Sequence, residues 1–370
     1  MTSNPSSFSN QYEELLDCYR IREAVAQKKL PFLAQAAFQP IHFLTFSWPT
    51  RLKSISDLKN LADSMHENRK ERWLGRLGKK GGGLSSNEIS LMATVAERVG
   101  PMFKALSLPA PGASLINAFF NLRMINNIFP KCNAILEIGP GSGWLSLLLA
   151  LSRKRTLVTV EVTENFYLWQ SLLFKCFPEI ELRQTLDGYL EERNRTESII
   201  LHAPWWEHAE LRRMPLNIDL VVANHVVCEM HEHSLRYILK LATTREAPPQ
   251  FLIEGEGDQR IRKWEVAVQI FREYGYDFKS IEIGVFLFTF NGNLEATKTS
   301  VATRAKEKLS LHFATHIHSD VKEKEALIMK ESLAEFHKFS EVVSDTQNLN
   351  EEFLNWLQPN NKIIRQMWEF

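Results

Sequence analysis

The stretch Ala134-Ile-Leu-Glu-Ile-Gly-Pro-Gly-Ser-Gly-Trp144 constrains this chain more than any other. Ala134, Ile135, Leu136 and Ile138 make an apolar run of the length of a buried strand. Gly139, Gly141 and Gly143 follow at once, and a second apolar run, Trp144 to Leu151, reads as a buried helix. A strand, a tight glycine turn and a helix N-terminus, in that order, let a backbone approach a nucleotide closely. A second strand at 156–162 carries Glu161 near its end, where a carboxylate can accept hydrogen bonds from both hydroxyls of a ribose.

The glycine spacing discriminates between cofactors. A dinucleotide fingerprint, G-x-G-x-x-G, would need its third glycine at position 144, which is Trp144. The chain instead reads Glu137-x-Gly139-x-Gly141-x-Gly143. This resembles the first motif of class I S-adenosylmethionine-dependent methyltransferases, E/D-x-G-x-G-x-G. The resemblance implies that Gly139, Pro140, Gly141, Ser142 and Gly143 wrap the methionine half of S-adenosyl-L-methionine. It also implies that Glu137 helps position the amino-acid part and that Glu161 holds the ribose. An ordinary strand–turn–helix with incidental glycines is the alternative, and the preceding Glu and the correctly spaced second acid argue against it.

Composition sets outer bounds. The 370 residues are 44% hydrophobic and 24% charged, an ordinary globular balance with room for one large domain or two to three smaller ones. Lys+Arg 44 equals Asp+Glu 44, so no whole-chain field favours nucleic acid or an acidic membrane. Cys18, Cys132, Cys176 and Cys228 form no C-x-x-C pair, which suits a reducing cytoplasm. Met1–Asn10 lacks the basic-then-apolar pattern of a signal peptide, and no apolar run has the length of a bilayer span.

In chain order, residues 1–10 read as frayed and 11–30 as a helix halted by Pro31. Pro40–Pro49 reads as extended, 56–77 as helix, and the glycine-rich stretch 78–83 as a flexible basic link with no P-loop register; a mobile lid is its functional alternative. A helix starts at Ser86 with Glu88 early, Gly100-Pro101 marks a break or turn, and 115–129 is an apolar helix expected to pack on the sheet. These give a helical N-terminal region, 1–129. Strands are expected at 134–138, 156–162, 218–223 and 251–254, with helices at 166–177 and 260–274 and a hairpin-like edge over 279–290. The third strand is either 179–184 or 198–203. Strands alternating with helices argue for a mostly parallel sheet over 130–292. Residues 293–370 read as a helical extension whose aromatic tail, including Phe353, Trp356 and Trp368, docks on the N-terminal helices or makes a homodimer.

Ligands of open α/β sheets bind outside the carboxyl ends of the strands. The residues standing there are His202, Pro204, Trp205, Trp206 and His208; then Asn224, His225, Cys228, Glu229, His231 and His233; then Glu254, Glu256 and Asp258. A histidine suits removal of a proton from a hydroxyl, and His225 directly follows the fourth strand, so it is the candidate base. A structural histidine is its plain alternative. Were a helix to begin near His225, then His225, Glu229 and His233 would share one face, a minority reading as a metal site. Trp205 and Trp206 offer flat faces for a sugar or aromatic acceptor, or else fill the core.

The segments L-E-I-G-P-G-S-G, H-A-P-W-W, A-N-H-V-V-C-E-M and I-E-G-E-G resemble a narrower group, the sugar O-methyltransferases of bacterial polysaccharide and natural-product pathways. That resemblance implies a Rossmann-like class I methyltransferase fold with helices on both faces of the sheet. It places Asn224 beside the cofactor with His225 and Glu229 at the catalytic site. The strand-end positions add Glu254 as a catalytic candidate, which could also bind a metal or sit solvated in its glycine turn. They also add His202, Trp205 and Trp206 as candidates against a small-molecule or glycan hydroxyl, and no resident metal is expected. N-methylation of a peptide or natural product, a non-catalytic cofactor-binding module, and a nicotinamide-dependent oxidoreductase stand as the alternatives.

Overall fold

The computed structural model describes residues 5–29, 51–58, 85–107, 113–186, 197–214, 216–257, 259, 262–282 and 284–292. The glycine-rich link at 78–83, most of the helix expected at 56–77, and the extension at 293–370 with its aromatic tail lie outside them.

Among the described residues, the helices α1 (Pro5–Lys29), α2 (Ser86–Ala105) and α3 (Ala113–Ile128) precede the sheet. The first begins at Pro5, earlier than expected, and Phe8 is buried. A proline fits the first helical turn, where its missing N–H has no partner to lose. A capping box starts α2: Ser85 Oγ accepts from Glu88 N–H, and Glu88 Oε2 accepts from Ser85 N–H at 2.8 Å. No break occurs at Gly100-Pro101; the helix runs through Pro101 to Ala105. An interior proline costs about 3 kcal/mol. Val99, Met102 and Phe103 are all buried on the flanking turn and offset it.

The sheet follows: β1 (Ala134–Ile138), α4 (Trp144–Ser152), β2 (Thr156–Glu161), α5 (Glu164–Lys175), β3 (Ile180–Arg183) and β4 (Ser198–Pro204). A 3-10 stretch at Trp205–Arg213 leads to β5 (Leu220–Val222), α6 (Glu232–Thr243), β6 (Gln250–Glu254), α7 (Trp264–Glu273), β7 (Tyr276–Glu282) and β8 (Val285–Phe290). The strand order is β3-β4-β2-β1-β5-β6-β8-β7, parallel from β3 to β6 and antiparallel at β8 and β7. This is the expected Rossmann-like class I methyltransferase sheet with one strand added at an edge. Both candidates for the third strand are strands: β4 pairs with β2, and the shorter β3 extends the sheet beyond it.

Parallel strands are covered on both faces, so β1 and β4 are buried along their whole length. One apolar layer joins α1, α2 and α3 to α4 and α5 through Tyr12, Val95, Phe119, Leu148 and Phe174. The other face packs α6 and α7 through Leu136, Val160, Leu239 and Phe271. The N-terminal helices therefore share the core of the sheet that carries the glycine turn. Among the described residues no helix is long and apolar enough to cross a membrane.

Candidate functional site

The direction of the crossovers reverses between β1 and β5, and the crevice at that switch point is where such sheets bind ligands. Gly139, Gly141 and Gly143 line it with φ of +61°, +56° and +74°, a backbone region that side chains strain to enter. Gly139 N–H donates to Val160 O at 2.9 Å, and Gly143 N–H closes the turn on Pro140 O at 2.9 Å. Gly143 also caps α4, and it has no side chain to cover that helix end. A Cβ at Gly139 would come within 3.1 Å of Val226, so the turn after β1 lies against the loop after β5.

Two acids frame this turn. Glu137 is buried and accepts hydrogen bonds from the Ser146 hydroxyl and backbone, so it caps the first turn of α4. Burial pushes its carboxyl from the ordinary 4.5 up to about 7, against the Ser146 hydrogen bonds. Glu161 ends β2 and is also buried. Its Oε1 accepts from Val162 N–H at 2.8 Å, Thr163 N–H at 2.9 Å and Thr163 Oγ1 at 2.9 Å. Its Oε2 accepts from Gln170 Nε2 at 3.2 Å. Burial raises this carboxyl too, although those hydrogen bonds pull the other way.

Helix α5 holds the glycine turn from the side. Trp169 Nε1 donates to Ser142 O at 3.0 Å, and Gln170 Nε2 donates to Gly141 O at 2.6 Å. Neither residue has a motif signature; each is legible only once α5 is laid beside the turn.

Across the crevice, the loops after β5 and β6 are zipped together. Asn224 Oδ1 accepts from Glu254 N–H at 3.2 Å, and His225 N–H donates to Glu254 O at 2.8 Å. His225 has a φ of +56°, strain of the kind that gathers at functional sites. Its ring lies on Gly255 so closely that a Cβ there would fall 2.1 Å from Nδ1 and Cε1. A Cβ on Gly257 would meet His225 O at 2.5 Å and Glu229 Cγ at 3.2 Å. The turn Glu254-Gly255-Glu256-Gly257 thus lies against the His225 ring at Gly255 and against the His225 carbonyl and the Glu229 side chain at Gly257.

Glu254 is buried at the end of β6. Its Oε2 accepts from Asn117 Nδ2 at 3.0 Å and from Asn121 Nδ2 at 2.6 Å, both on α3. The asparagines sit four residues apart on one face of an otherwise apolar helix. That pattern is visible in the sequence, but its target becomes apparent only when α3 crosses the strand ends.

Other expected residues lie elsewhere. Residues 223–231 form no helix; α6 starts at Glu232, capped by His231, so His225, Glu229 and His233 do not share a helix face. Among the described residues no group of three His, Cys, Asp or Glu side chains is arranged to hold a metal ion. His202 is fully buried. It stacks on Tyr167 at 4.2 Å, its Nε2 lies 3.1 Å from Tyr167 O, and its Nδ1 lies 2.7 Å from Thr159 Oγ1. The carbonyl can only accept, so Nε2 carries the proton and Thr159 donates to Nδ1. Instead of facing an acceptor, His202 fastens α5 to the sheet. Trp205 and Trp206 are buried as well: Trp205 Nε1 donates to Glu23 Oε1 at 2.8 Å, and Trp206 meets Tyr19 edge-on at 4.7 Å. They bind α1 to the sheet, the core role that adjacent tryptophans at a buried strand end can also serve.

No family model matches this chain, and no curated protein matches it. Solved structures similar to it include several methyltransferases and the [4+2]-cyclase SpnF. Magnesium protoporphyrin IX methyltransferase from Synechocystis PCC 6803, with bound S-adenosylmethionine, is 12% identical over 47% of this chain and 77% of that one, with a TM-score of 0.31. A TehB-like S-adenosylmethionine-dependent methyltransferase from Corynebacterium glutamicum is 14% identical over 45% and 83%, with a TM-score of 0.31. The pyocyanin biosynthetic protein PhzM is 11% identical over 53% and 59%, with a TM-score of 0.33. The fold rests on the strand order itself, and likeness at this level says nothing of substrate.

Proposed function

We propose that this chain is an S-adenosylmethionine-dependent methyltransferase acting on a hydroxyl of a small molecule or glycan, and specifically a sugar O-methyltransferase. One observation carries the reading: the positive-φ glycine turn and the buried acid of the neighbouring strand are tied together by a single amide, Gln170. The residues present fit the cofactor. Glu161 Oε2 keeps acceptor capacity for a ribose hydroxyl, and the start of α4 at Gly143 carries no side-chain cap.

When bound, S-adenosylmethionine supplies an electrophilic sulfonium methyl. The protein's part is to orient the acceptor and take its proton. His225, strained and bedded on Gly255, is the base in this reading, with Glu229 beside it over Gly257. Glu254, held by Asn117 and Asn121, offers the polar wall against which a hydroxylated acceptor would orient. The sugar assignment leans on the N-H-x-x-x-E-M and I-E-G-E-G segments and on that wall. A cytoplasmic setting belongs to the same reading, since Cys18, Cys132, Cys176 and Cys228 are all free thiols.

Calorimetry with S-adenosylhomocysteine tests the core of this. Wild-type protein should bind it, and Gly141→Val, which forces a β-branched residue to φ +56°, should abolish binding. Unchanged binding in that variant sinks the reading. Transfer of a labelled methyl from the cofactor into a panel of glycans, with peptides as the comparison, then tests the acceptor class.

A further inference from the structure

Gln170 has no solvent exposure, and its amide can point only one way. Nε2 donates to Gly141 O at 2.6 Å and to Glu161 Oε2 at 3.2 Å. A backbone carbonyl can only accept, so the nitrogen is fixed on that side and Oε1 on the other. Oε1 is buried and accepts from nothing among the described residues. A buried carbonyl oxygen without a donor loses its hydration with nothing in return, so it calls for an explanation.

Glu161 shows the complementary defect. Its Oε1 already serves Val162 N–H, Thr163 N–H and Thr163 Oγ1, all within 2.9 Å. A carboxylate with one oxygen consumed by its own turn cannot grip a vicinal diol with both. Two acceptors remain, Glu161 Oε2 and Gln170 Oε1, joined through the Gln170 amide, whose nitrogen donates to the first. Gly143 makes room for this arrangement, because a Cβ there would press on Gln170 Cγ at 3.0 Å.

We propose that Gln170 is a ribose-recognition residue, its Oε1 accepting one hydroxyl of the cofactor's ribose while Glu161 Oε2 accepts the other. This rests on the cofactor reading above. The glycine turn and the diol are thereby read by one side chain, so the turn is held in its binding shape by the group that recognises the ligand.

The test is a binding cycle with S-adenosylhomocysteine and its 2′-deoxy and 3′-deoxy analogues, titrated by calorimetry into wild type, Gln170→Leu and Gln170→Met. In wild type each deletion should weaken binding about tenfold, the worth of one hydrogen bond to a buried acceptor. In the variants one of the two deletions should cost less than about twofold, because its partner oxygen is gone, while the other keeps its penalty. A merely structural Gln170 would weaken all three ligands alike and leave both penalties intact, and that result overturns the proposal. Should both variants fail to fold, the wild-type protein decides: the Gln170 side-chain carbonyl carbon resonance must shift with S-adenosylhomocysteine and with only one of the deoxy analogues. A shift with both, or with neither, overturns it. Wild-type protein that binds none of the three overturns the cofactor reading itself, a distinct outcome.

Discussion

Gly255 and His225 compete for the same space, and glycine is the residue that yields. With φ at +68° and a Cβ position 2.1 Å from the imidazole, Gly255 tolerates no side chain while His225 holds its place. Gly255→Ala should therefore destabilise the protein by about 2–4 kcal/mol, part from the left-handed backbone and part from displacing the ring. Removing the ring first should relieve the second part. The double variant with His225→Ala should be less destabilised than the sum of the singles by about 1 kcal/mol or more in denaturant unfolding. Strict additivity would show that the ring does not rest there. On activity, His225→Ala should lower turnover by roughly a hundredfold to ten-thousandfold with little change in cofactor affinity, the range for a lost general base. Wild-type turnover in that variant would move the base elsewhere. The positions of Asn224, His225 and Glu254 at strand ends were readable because apolar runs end there. The burial of His202, Trp205 and Trp206 was not. A fully buried parallel strand has no polar face, so alternation cannot tell which side chains meet a helix and which reach the crevice.

At the scale of elements, α1 is fastened to the sheet through the residue that begins α5. Glu164 is buried and receives Arg20 through both its oxygens, at 2.9 and 3.1 Å, Arg51 at 2.9 Å and Leu52 N–H at 2.9 Å. Burial alone would raise its carboxyl, but these hydrogen bonds hold it below the ordinary carboxylate value. Glu164 stands three residues after Glu161, so the clamp steadies the turn that presents that buried acid. The arginine side chains are 45% and 49% exposed and can rehydrate, which limits the loss when the acid is removed. Glu164→Ala should then cost about 1–3 kcal/mol and speed amide exchange selectively across α1. Exchange in α1 that matches wild type would show the helix is held by its apolar face alone. Helix and strand existence was largely legible from period and helix-start signals, as at Ser86 with Glu88 early in the helix. Three details were not: the passage of α2 through Pro101, the place of β3 as an added edge strand beyond β4, and the late start of α6. Each is decided by packing partners distant in sequence, which outweigh local propensity. The clamp was equally hidden, since Arg20, Arg51 and Glu164 share no spacing rule.

For the whole molecule, buried titratable groups set a stability curve with two opposed limbs. Burial lowers the imidazoles of His202 and His231 from the ordinary 6.5 to about 4, and that of His208 to about 3. Below pH 6.5 the unfolded chain takes up protons on all three, while the folded chain refuses them until about pH 4 and below. Stability rises with pH wherever the unfolded state binds more protons, so this contribution is whole above 6.5 and is lost as pH falls toward 4. The carboxyls of Glu137, raised to about 7, and Glu161, also raised, act in the opposite sense. Their contribution is whole below the unfolded carboxylate value of 4.5 and is lost as pH rises through the folded value, near 7 for Glu137. Near pH 5 the three imidazoles, almost fully protonated in the unfolded chain, outweigh the two carboxyls; by pH 6.5 the unfolded imidazoles are half deprotonated and that advantage is gone. The denaturant midpoint should accordingly climb upward from pH 5, flatten by about 6.5 and level or decline toward pH 8. His202→Gln isolates one term. Its amide nitrogen can still donate to Tyr167 O but cannot titrate, so the climb between pH 5 and 6.5 should shrink even though the variant is less stable throughout. An undiminished climb in His202→Gln would show that the imidazole is protonated within the folded protein, and hence that the layer between α5 and the sheet admits water.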